Sequence, residues 1–311
     1  MARFLVTGGA GFIGSHIAET LVRRGDEVRV LDNLMTGKRE NLASFIDHIH
    51  FIEGDIRDLE TCRRAVKGMD HVLHEAALAS VPRSVNDPLT TNAVNVAGTL
   101  NLLVAARDAG VGSFVMASSS SVYGDDAGRA KREGTEGRPL SPYAVSKLVD
   151  EKYCQVFHGL FGLKAVALRY FNVFGPRQDP LSQYAAVVPL FITKVLRGES
   201  PVIYGDGEQS RDFTFVRNVV EANIVAAECG AAGGEAINVA CGDSLTVNAL
   251  FAAVNKILGT DIKASYADPR PGDIRHSTAD VAKARRLMGY EPAVPFMDGL
   301  RETVSWYKGR S

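Results

Sequence analysis

The fold is decided by the stretch FLVTGGAGFIG, residues 4–14, in which an apolar strand pattern runs into a glycine-rich turn. An amphipathic helix pattern follows the turn directly. Gly8 permits a tight turn, Gly11 lets a pyrophosphate approach the backbone, and Gly14 permits close packing of the helix on the strand. The amides and the positive dipole at the start of this helix favour bound phosphate groups. The stretch therefore predicts a dinucleotide-binding strand–turn–helix unit.

An acidic residue, Asp32, ends the second apolar strand pattern. A carboxylate at that place accepts hydrogen bonds from a ribose 2′-hydroxyl and repels a 2′-phosphate, which favours NAD over NADP. Asp55 follows the third strand pattern and is a candidate acceptor for the adenine amino group, although a solvated loop aspartate explains it nearly as well. The other cofactor-site candidates around these motifs are Phe12, Ile13, Asn33, Gly37, Ile56 and Ala76.

Short apolar runs alternate with amphipathic stretches through the first half of the chain, which is typical of parallel strands joined by helices. The predicted strands are Arg3–Thr7, Glu27–Asp32, His50–Glu53, His71–His74, Ser113–Ser118 and Lys164–Tyr170. The predicted helices are Gly14–Arg24, Leu59–Val66 and Thr90–Ala109. Right-handed crossovers between such strands give an α/β fold with a doubly wound parallel sheet of the Rossmann type.

Beyond Arg169 the elements become shorter, which predicts a smaller α/β lobe at the C-terminal end. Residues 172–181 are rich in Gly and Pro and are interpreted as a loop at a strand end, where open α/β sheets bind ligands. The later predicted elements are helices Val187–Leu196, Val216–Cys229, Thr246–Leu258 and one from Phe296, with strands Val202–Tyr204 and Ala236–Ala240. We expect an NAD-binding domain over residues 1–171, completed by about 214–243, and a second, ligand-binding lobe over residues 172–311.

Composition limits the class of protein. Of the 311 residues, 46% are hydrophobic and 23% are charged, which is typical of a folded globular protein. The formal net charge of −1 argues against a general nucleic-acid or membrane-surface binder and still permits a local anion site. The four cysteines have no CxxC spacing, so no metal or redox centre is expected. No apolar run reaches the roughly 18 residues of a membrane span, and a cytoplasmic protein is expected.

Tyr143 and Lys147 stand four residues apart in the sequence YAVSK, so a helix brings both side chains to one face. An ordinary tyrosine, with a pKa of about 10, is a weak base at neutral pH. A nearby ammonium and a positive nicotinamide ring stabilise a phenolate, which can then remove a hydroxyl proton while hydride leaves the same carbon. Such a pair is common by chance, and it gains weight from the glycine motif upstream.

A run of hydroxyl residues, SSSSVYG from Ser118 to Gly124, follows the fifth strand pattern. Hydroxyls at the carboxyl end of a parallel strand face the crevice of the sheet, where one can donate to a substrate oxygen or relay its proton. A turn rich in small residues is the plainer interpretation. The chain has no GxSxG elbow, which argues against a serine hydrolase.

Together, these three motifs resemble the extended short-chain dehydrogenase/reductase family, and within it the nucleotide-sugar epimerases, over essentially the whole chain. The resemblance implies that Tyr143 and Lys147 transfer a proton with Ser119, and that NAD is tightly bound and recycled. It also places Ser120 and Ser121 in the slots where nucleotide-sugar dehydratases carry Asp-Glu. Without that acid, dehydration has no proton donor for the leaving hydroxyl, so epimerisation is favoured.

Three C-terminal segments extend the resemblance and imply a site for a nucleotide-sugar diphosphate. The segment RYFNVFGP contains Asn172, which contacts the diphosphate in the family. The segments GDGEQSRDF and RPGD contain Arg211 and Arg270, and arginines suit a diphosphate because they bind it through two hydrogen bonds. The substrate-binding candidates are then Ser119, Ser120, Tyr143, Asn172, Gln178, Arg211, Arg270, Asp273 and Ser277.

Several phrases, among them FNVFGPRQDP and RPGDIRHSTAD, resemble the subgroup that prefers N-acetylated UDP-hexoses. Epimerases restricted to glucose and galactose carry a bulky tyrosine four residues after the Asp of the last motif, where this chain has Ser277. The smaller side chain leaves room for a 2-acetamido group and does not reject the smaller sugar. Asn172 argues against the UDP-glucuronate branch, which carries threonine there. Glu75 departs from the subgroup's usual glutamine near the expected nicotinamide end, and the resemblance gives it no role.

The sequence thus predicts NAD-dependent 4-epimerisation of UDP-GlcNAc and UDP-GalNAc, and also of UDP-glucose and UDP-galactose, through a transient 4-keto sugar. Another nucleotide-sugar enzyme stays open, such as a 4-reductase, a UDP-glucuronate 4-epimerase or a dehydratase. A more remote alternative is a non-catalytic dinucleotide-binding regulator, in which Tyr143 and Lys147 would have no purpose together. The resemblance also implies a homodimer formed through the helices containing Val94–Ala105 and Tyr143–Phe157. Nucleic acid, membrane and metal are not expected as partners.

Overall fold

The computed structural model describes residues 1–128, 130–180, 186–269 and 275–310. Its strands are β1 Arg3–Thr7, β2 Glu27–Asp32, β3 Ile49–Glu53, β4 His71–His74, β5 Ser113–Ser119, β6 Ala130–Lys131, β7 Lys164–Tyr170, β8 Val173–Phe174, β9 Val202–Tyr204, β10 Ser210–Arg211, β11 Thr214–Phe215, β12 Ala236–Val239, β13 Leu245–Thr246, β14 Ser265–Ala267 and β15 His276–Ala279. Its α-helices are α1 Phe12–Arg24, α2 Leu59–Val66, α3 Val81–Asn86, α4 Pro88–Asn92, α5 Thr99–Asp108, α6 Pro142–Phe161, α7 Val187–Leu196, α8 Val216–Cys229, α9 Val247–Leu258, α10 Ala282–Met288 and α11 Phe296–Lys308. Single turns of 3₁₀-helix lie at Arg39–Leu42, Ile46–His48 and Ser120–Tyr123, and a π-helical segment, Ala93–Gly98, joins α4 to α5.

A seven-stranded sheet forms the centre of the molecule, with the strand order β12-β7-β5-β4-β1-β2-β3. Every neighbouring pair in it is parallel. The chain builds outward from β1 to β3 and then returns to place β4 on the other side of β1. Thr7 and His74, at the ends of β1 and β4, are paired at this reversal, where open α/β sheets form their ligand crevice. This topology confirms the predicted α/β fold with a doubly wound parallel sheet.

Helices cover both faces of the sheet because its strands bury side chains on both sides. In β1, Phe4 and Val6 belong to the core that contains α1 and α8, whereas Leu5 belongs to the opposite core with α2, α5 and α6. All three side chains are fully buried. The loops at the carboxyl edge of the sheet are therefore carried by a rigid, closely packed support.

Several predicted boundaries differ from the structure by one or two residues, and two of the differences have clear local reasons. The helix predicted from Gly14 begins at Phe12, because Gly11 already takes the extended N-cap conformation. The stretch of residues 172–181, predicted to be loop throughout, contains the short strand β8, because Val173–Phe174 pairs with β11. Residue 181 lies outside the described residues.

A smaller lobe lies beside the start of α1. It contains the four-stranded sheet β13-β10-β15-β6 and an aromatic core that includes Phe191, Phe215 and Phe251. Phe12 and Ile13 pack against this core, which brings the lobe next to the glycine-rich turn. Strand β12 pairs with β7, so the chain returns to the main sheet between two parts of the lobe. The division of the chain into two domains at residue 171 stays a prediction.

One helical stretch, Pro88–Asp108, is long and apolar enough to cross a membrane by length and composition alone. Half of its most apolar window is buried inside the protein. Leu102 and Leu103, for example, are fully buried against the main sheet. Packing in the core therefore accounts for the apolar composition of this stretch.

Candidate active site

A cleft opens at the carboxyl edge of the main sheet, where the strand order reverses, and holds about 920 Å³ of empty space. The glycine-rich turn and the loops after β2, β3 and β4 line it. Predicted cofactor residues on its wall are Gly8, Gly11, Phe12, Ile13, Gly14, Asp32, Asn33, Asp55, Ile56 and Ala76. Residues that the sequence did not single out as cofactor contacts, among them Met35, Thr36, Glu75, Leu78 and Val94, also line it. The cleft thus joins motifs that lie far apart in the chain.

The glycine-rich turn has the geometry of a phosphate cradle. Gly8 has a φ of +65°, and a Cβ on Gly14 would lie 2.3 Å from the Gly8 oxygen, so both positions need glycine. Gly11 is the N-cap of α1 and has no side chain with which to cap the helix. The first-turn amides therefore have no acceptor within the helix and are available to an anion at the cleft. A pyrophosphate fits this arrangement.

Asp32 is buried at the end of β2, beside Gly37. Its carboxylate accepts hydrogen bonds from the Ala10 amide at 2.9 Å and the Leu34 amide at 2.8 Å. Burial raises the pKa of Asp32 above its usual range, and the two amide bonds oppose this shift. A Cβ on Gly37 would lie 2.9 Å from both carboxylate oxygens, so this loop can approach Asp32 only with glycine there. The oxygens retain lone pairs for a ribose hydroxyl.

Asp55 lies two residues beyond the end of β3, on the wall of the cleft. It accepts a hydrogen bond from Asn33 Nδ2 at 2.8 Å and pairs with Arg57 Nη2 at 2.7 Å. The Arg57 hydrogen bonds hold the pKa of Asp55 at about 2. The carboxylate is therefore ionised at neutral pH and already has two partners. Its predicted contact with the adenine amino group stays a prediction.

Tyr143 and Lys147 lie one turn apart near the start of α6, so the helix presents them on one face. The Tyr143 amide donates to the Oγ of buried Ser84 at 3.1 Å, which ties α6 to the neighbouring helix α3. Tyr143 is partly exposed, whereas Lys147 is only 2% exposed. The Lys147 Nζ lies 3.8 Å from the Asp150 carboxylate. The backbone thus holds the pair rigidly, with the tyrosine open to a ligand and the lysine shielded from water.

Ser119 ends β5, and its Oγ accepts a hydrogen bond from the Ser121 amide at 3.1 Å. The 3₁₀ turn that follows, Ser120–Tyr123, packs against α6. Ser119 and Ser120 therefore lie next to the helix that carries Tyr143. A hydroxyl placed there can take part in hydrogen bonding to a substrate oxygen.

A second cleft lies in the smaller lobe and contains Asn172 and Arg211. Asn172 has a φ of +35°, and its Nδ2 donates to the Asp212 carbonyl oxygen at 2.9 Å. The Arg211 Nη1 donates to the Ser210 carbonyl oxygen at 2.9 Å. Apolar side chains, including Phe191, line the rest of this cleft. An apolar slot beside an arginine suits a nucleotide base with attached phosphates.

Ser277 lies opposite Arg211 where β15 pairs in parallel with β10. Paired residues of neighbouring strands project from the same face of a sheet, so both side chains lie on one face. On the other face, His276 Nδ1 is hydrogen-bonded to Ser210 Oγ at 3.0 Å. Ser277 is 7% exposed. The register therefore brings Ser277 next to the arginine that was predicted to bind the diphosphate.

Three further predicted substrate residues are Arg270, Asp273 and Gln178. Arg270 and Asp273 lie outside the described residues. Gln178 donates from its Nε2 to the Val173 carbonyl oxygen at 3.0 Å, and it is not among the described residues that line the two clefts. The roles of all three stay predictions.

Sequence reasoning missed two buried polar residues behind the cleft. His74 bridges the hydroxyls of Thr7 and Thr99, at 2.6 and 2.9 Å, and burial lowers its pKa to about 3. Asp150 is fully buried, and among the described residues neither of its carboxylate oxygens has a hydrogen-bond partner. Burial raises the pKa of Asp150 to about 7, against the pull of the Lys147 ammonium. The i, i+3 spacing of Lys147 and Asp150 was the signal that could have found this pair.

The fold and the two clefts define a dinucleotide-binding α/β enzyme that carries a tyrosine–lysine pair next to its cofactor site. Residues 4–240 match the NAD dependent epimerase/dehydratase family, and the chain belongs to this family. NAD is its cofactor. The resemblance to nucleotide-sugar epimerases is thereby confirmed. In the described part of the chain, no group of three or more His, Cys, Asp or Glu side chains forms a candidate metal site.

Similar proteins cover nearly the full chain. A solved UDP-N-acetylglucosamine 4-epimerase from Methanobrevibacter ruminantium M1, in complex with UDP-N-acetylmuramic acid, is 45% identical, with a TM-score of 0.95 and coverage of 100% of this chain and 99% of that one. A UDP-glucose 4-epimerase from Thermotoga maritima, solved with UDP-glucose, is 40% identical, with a TM-score of 0.93 and 99% coverage of each chain. The UDP-glucose 4-epimerase of Mycolicibacterium smegmatis is 38% identical over 313 residues, with 99% coverage of each.

Proposed function

We propose that the protein interconverts the 4-epimers of UDP-hexoses, with UDP-GlcNAc and UDP-GalNAc as the preferred pair and UDP-glucose and UDP-galactose as further substrates. The observation that carries the proposal is that one edge of the parallel sheet carries the glycine-rich turn after β1, the Ser119 turn that packs against the Tyr143–Lys147 helix, and Asn172 shortly after β7. The similar proteins named above, which are 4-epimerases of UDP-sugars, support it.

The residues of the larger cleft fit NAD. The glycine-rich turn and the start of α1 would hold the pyrophosphate, and Asp32 would bind the adenosine ribose. When bound, NAD accepts a hydride from the sugar and returns it within the same turnover. Because it is restored in each cycle, we expect it to stay on the protein during purification.

The proton follows a route through the chain's own residues. The Lys147 ammonium stabilises the phenolate form of Tyr143. This phenolate takes the proton of the sugar 4-hydroxyl while the C4 hydride leaves the sugar. Ser119 donates a hydrogen bond to the same sugar oxygen. After the 4-keto sugar has turned over, Tyr143 returns the proton to that oxygen, so no proton is released. Asn172 and Arg211, with Arg270, hold the diphosphate as the pivot.

Two small side chains define the outcome of the reaction. Ser120 offers no carboxylic acid to protonate a leaving hydroxyl, which favours epimerisation over dehydration. Ser277, beside Arg211, leaves space next to the sugar-nucleotide site for a 2-acetamido group. The proposed preference for acetylated sugars depends on Ser277, whereas the reaction type does not.

The proposal includes a homodimer. Val145, Val156 and Leu160 are exposed on α6, at spacings that place them on one face of the helix. Helix α4 packs against α6, and its residue Leu89 is 83% exposed. We call these four residues the α4–α6 surface. A second copy that places the same surface against it would bury an apolar patch that is otherwise in contact with water.

A cytoplasmic location is part of the same proposal. All four cysteines are free thiols. Free thiols suit a reducing compartment, where disulfides do not persist. Tagged protein recovered in the membrane or secreted fraction of cells would contradict this location.

The experiment incubates purified protein, with no added NAD, separately with UDP-GlcNAc and UDP-glucose, and follows the 4-epimers by proton NMR. We expect conversion of both sugars, with faster conversion of the acetylated one. Conversion of UDP-glucose alone would contradict the role of Ser277. No conversion of either sugar after addition of NAD would favour an enzyme that acts on a uronate or deoxysugar. Net consumption of NADH would indicate a reductase, and a product lighter by the mass of water would indicate a dehydratase.

A further inference from the structure

Glu75 is a residue of the cofactor cleft that the proposed mechanism leaves unused. It follows β4 directly and lines the cleft together with Ala76. Its amide donates to the Thr7 carbonyl oxygen at 3.1 Å, and the Ala76 amide donates to Thr7 Oγ1 at 3.3 Å. A Cβ on Gly8 would lie 2.7 Å from the Ala76 nitrogen, so the phosphate turn packs directly on this segment. The backbone of Glu75 is therefore fixed relative to the cofactor cradle.

The side chain of Glu75 ends a hydrogen-bond chain with a defined direction. Asn223 Nδ2 donates to the Val219 carbonyl oxygen at 2.8 Å, which fixes the orientation of its amide group. The same nitrogen donates to the Tyr170 hydroxyl oxygen at 2.7 Å. The Tyr170 hydrogen is then free for Glu75 Oε1, which accepts it at 2.7 Å. Glu75 is therefore an acceptor in this bond, a role that a glutamine oxygen can also fill.

The titratable groups near Glu75 lie on several of the elements around it. Desolvation raises the pKa of Glu75 to about 7, opposed by the Tyr170 hydroxyl and the Lys147 ammonium. His74, the preceding residue, is neutral at this pH because burial lowers its pKa to about 3. Asp150, whose carboxylate lies 3.8 Å from Lys147 Nζ, has a pKa raised to about 7 by burial. Near neutral pH, Lys147 thus interacts with two titrating carboxyl groups.

Glu75 connects the cleft wall electrostatically to the proton-transfer helix α6. Its partner Tyr170 interacts electrostatically with Tyr143, as Glu75 itself does with Lys147. The other acidic residues on the described wall, Asp32 and Asp55, are the ones predicted to bind the adenosine end of the cofactor. The reacting ring of NAD must lie near the base that handles the sugar proton. Glu75 therefore stands at the nicotinamide end of the cleft.

The geometry points to Glu75 as the residue that balances the charge of the nicotinamide ring and so sets how strongly the protein favours NAD⁺ over NADH. This inference rests on the redox cycle of the proposed function. The ring is positive when oxidised and becomes neutral when it takes two electrons and a hydrogen as hydride from sugar C4, while the hydroxyl proton goes to Tyr143. A carboxylate nearby stabilises the positive form alone. It keeps the cofactor oxidised between turnovers and favours return of the hydride to the keto sugar.

The test compares the holoenzyme with the variant Glu75→Gln, which keeps the bond from Tyr170 and removes the charge. Each protein is incubated with an excess of an equimolar mixture of NAD⁺ and NADH until its bound nucleotide has exchanged, free nucleotide is removed, and the bound ratio is measured by near-ultraviolet absorbance. At about pH 8.5 we expect the NADH:NAD⁺ ratio on the variant to be roughly tenfold higher. For a two-electron couple this corresponds to about 30 mV. At about pH 5.5, where Glu75 is protonated, the two proteins should agree.

A second variant and a control make the result specific. Tyr170→Phe keeps the charge and removes the hydrogen bond that stabilises the carboxylate, so the pH at which the bound ratio changes should rise. Glu53→Gln removes an exposed carboxylate at the end of β3 and should leave the ratio unchanged. A ratio that is the same in Glu75→Gln and the unchanged protein at both pH values, or a variant that holds less NADH, would overturn the inference. No sugar is present, so failure of the proposed epimerase activity leaves the outcome readable.

Discussion

The hydroxyl group of Tyr143 can be removed without disturbing how α6 is held. The bond from its amide to Ser84 involves only the backbone of Tyr143. We expect Tyr143→Phe to lower kcat by roughly 10²- to 10⁴-fold, the range of general acid–base catalysis. UDP affinity, measured by calorimetry, should stay the same. Tyr153→Phe, on the same helix, is the matched control, and activity of Tyr143→Phe within a few-fold of the unchanged protein would contradict the assignment.

The side chain at position 277 decides the proposed choice of sugar. Tyr in place of Ser277 would project from the face of β15 that carries Arg211 on β10 and would fill the space assigned to the acetamido group. We expect Ser277→Tyr to lower kcat/KM for UDP-GlcNAc roughly 10- to 200-fold relative to UDP-glucose. Ser277→Ala keeps the space and should keep the ratio. An unchanged ratio in the tyrosine variant would show that the acetamido group lies elsewhere.

At the residue scale, the sequence predicted the roles of side chains whose positions are set by a local motif. It missed side chains whose contacts are with residues distant in the sequence. Gly8 and Asp32 could be placed in the cleft because the strand–turn–helix pattern itself sets their positions. The bond between Glu75 and Tyr170 joins residues separated by 95 positions. No periodicity connects them, so the hydrogen-bonded carboxyl group of Glu75 on the cleft wall became visible only in the folded chain.

At the scale of elements, apolar periodicity predicted the helix over Thr90–Ala109 but missed its wider π-helical segment, Ala93–Gly98. Asn95 lies in that segment, and its side chain accepts a hydrogen bond from the Leu78 amide at 2.8 Å and donates to Ser146 Oγ at 3.0 Å. These bonds tie the cleft wall to α6. A π-helical segment of this kind is set by tertiary contacts and often marks a functional site, which periodicity cannot reveal.

The α4–α6 surface is formed by side chains of two helices, and a charge placed on it tests the proposed dimer. We expect Leu160→Glu to convert a dimer into a monomer, because a buried charge without a partner costs several kcal/mol. Light scattering coupled to size-exclusion chromatography would measure the mass. Lys256→Glu, an exposed change on α9, should leave the dimer intact. A monomeric unchanged protein, or a dimeric Leu160→Glu, would contradict the proposed interface.

At the scale of the whole molecule, the main sheet was predictable and the small sheets were not. Alternating strands and helices with right-handed crossovers leave few topologies for a parallel sheet. Two-residue strands carry no such pattern. Strand β6 pairs with β15, and β8 pairs with β11, through contacts between distant segments. The loop at residues 172–181 was therefore located correctly at a strand end, while the pairing within it could not be predicted.

Stability of the whole molecule should depend on pH through the histidines whose pKa values are lowered in the folded chain. Burial lowers the pKa of His74 to about 3 and that of His16 to about 4, below the ordinary value of 6.5. Between these values and about 6.5, the unfolded chain binds more protons than the folded one. Each histidine therefore lowers the free energy of unfolding by up to about 1.4 kcal/mol for each unit that the pH falls. Carboxyl groups whose pKa values are raised by desolvation, such as those of Glu75 and Asp150, have the opposite slope.

A comparison with His74→Asn isolates the histidine contribution, because the carboxyl contributions are shared by both proteins. At about pH 7.5, we expect the variant to be less stable by about 1–3 kcal/mol, since one of the hydroxyls of Thr7 and Thr99 loses its partner. As the pH falls from about 6.5 to 4.5, protonation of unfolded His74 should narrow this difference. Urea unfolding at several pH values measures it, with exposed His50→Asn as the control. A difference that stays constant with pH would mean that His74 holds a proton equally well in the folded protein, and the buried bridge between β1 and α5 would then carry a charge.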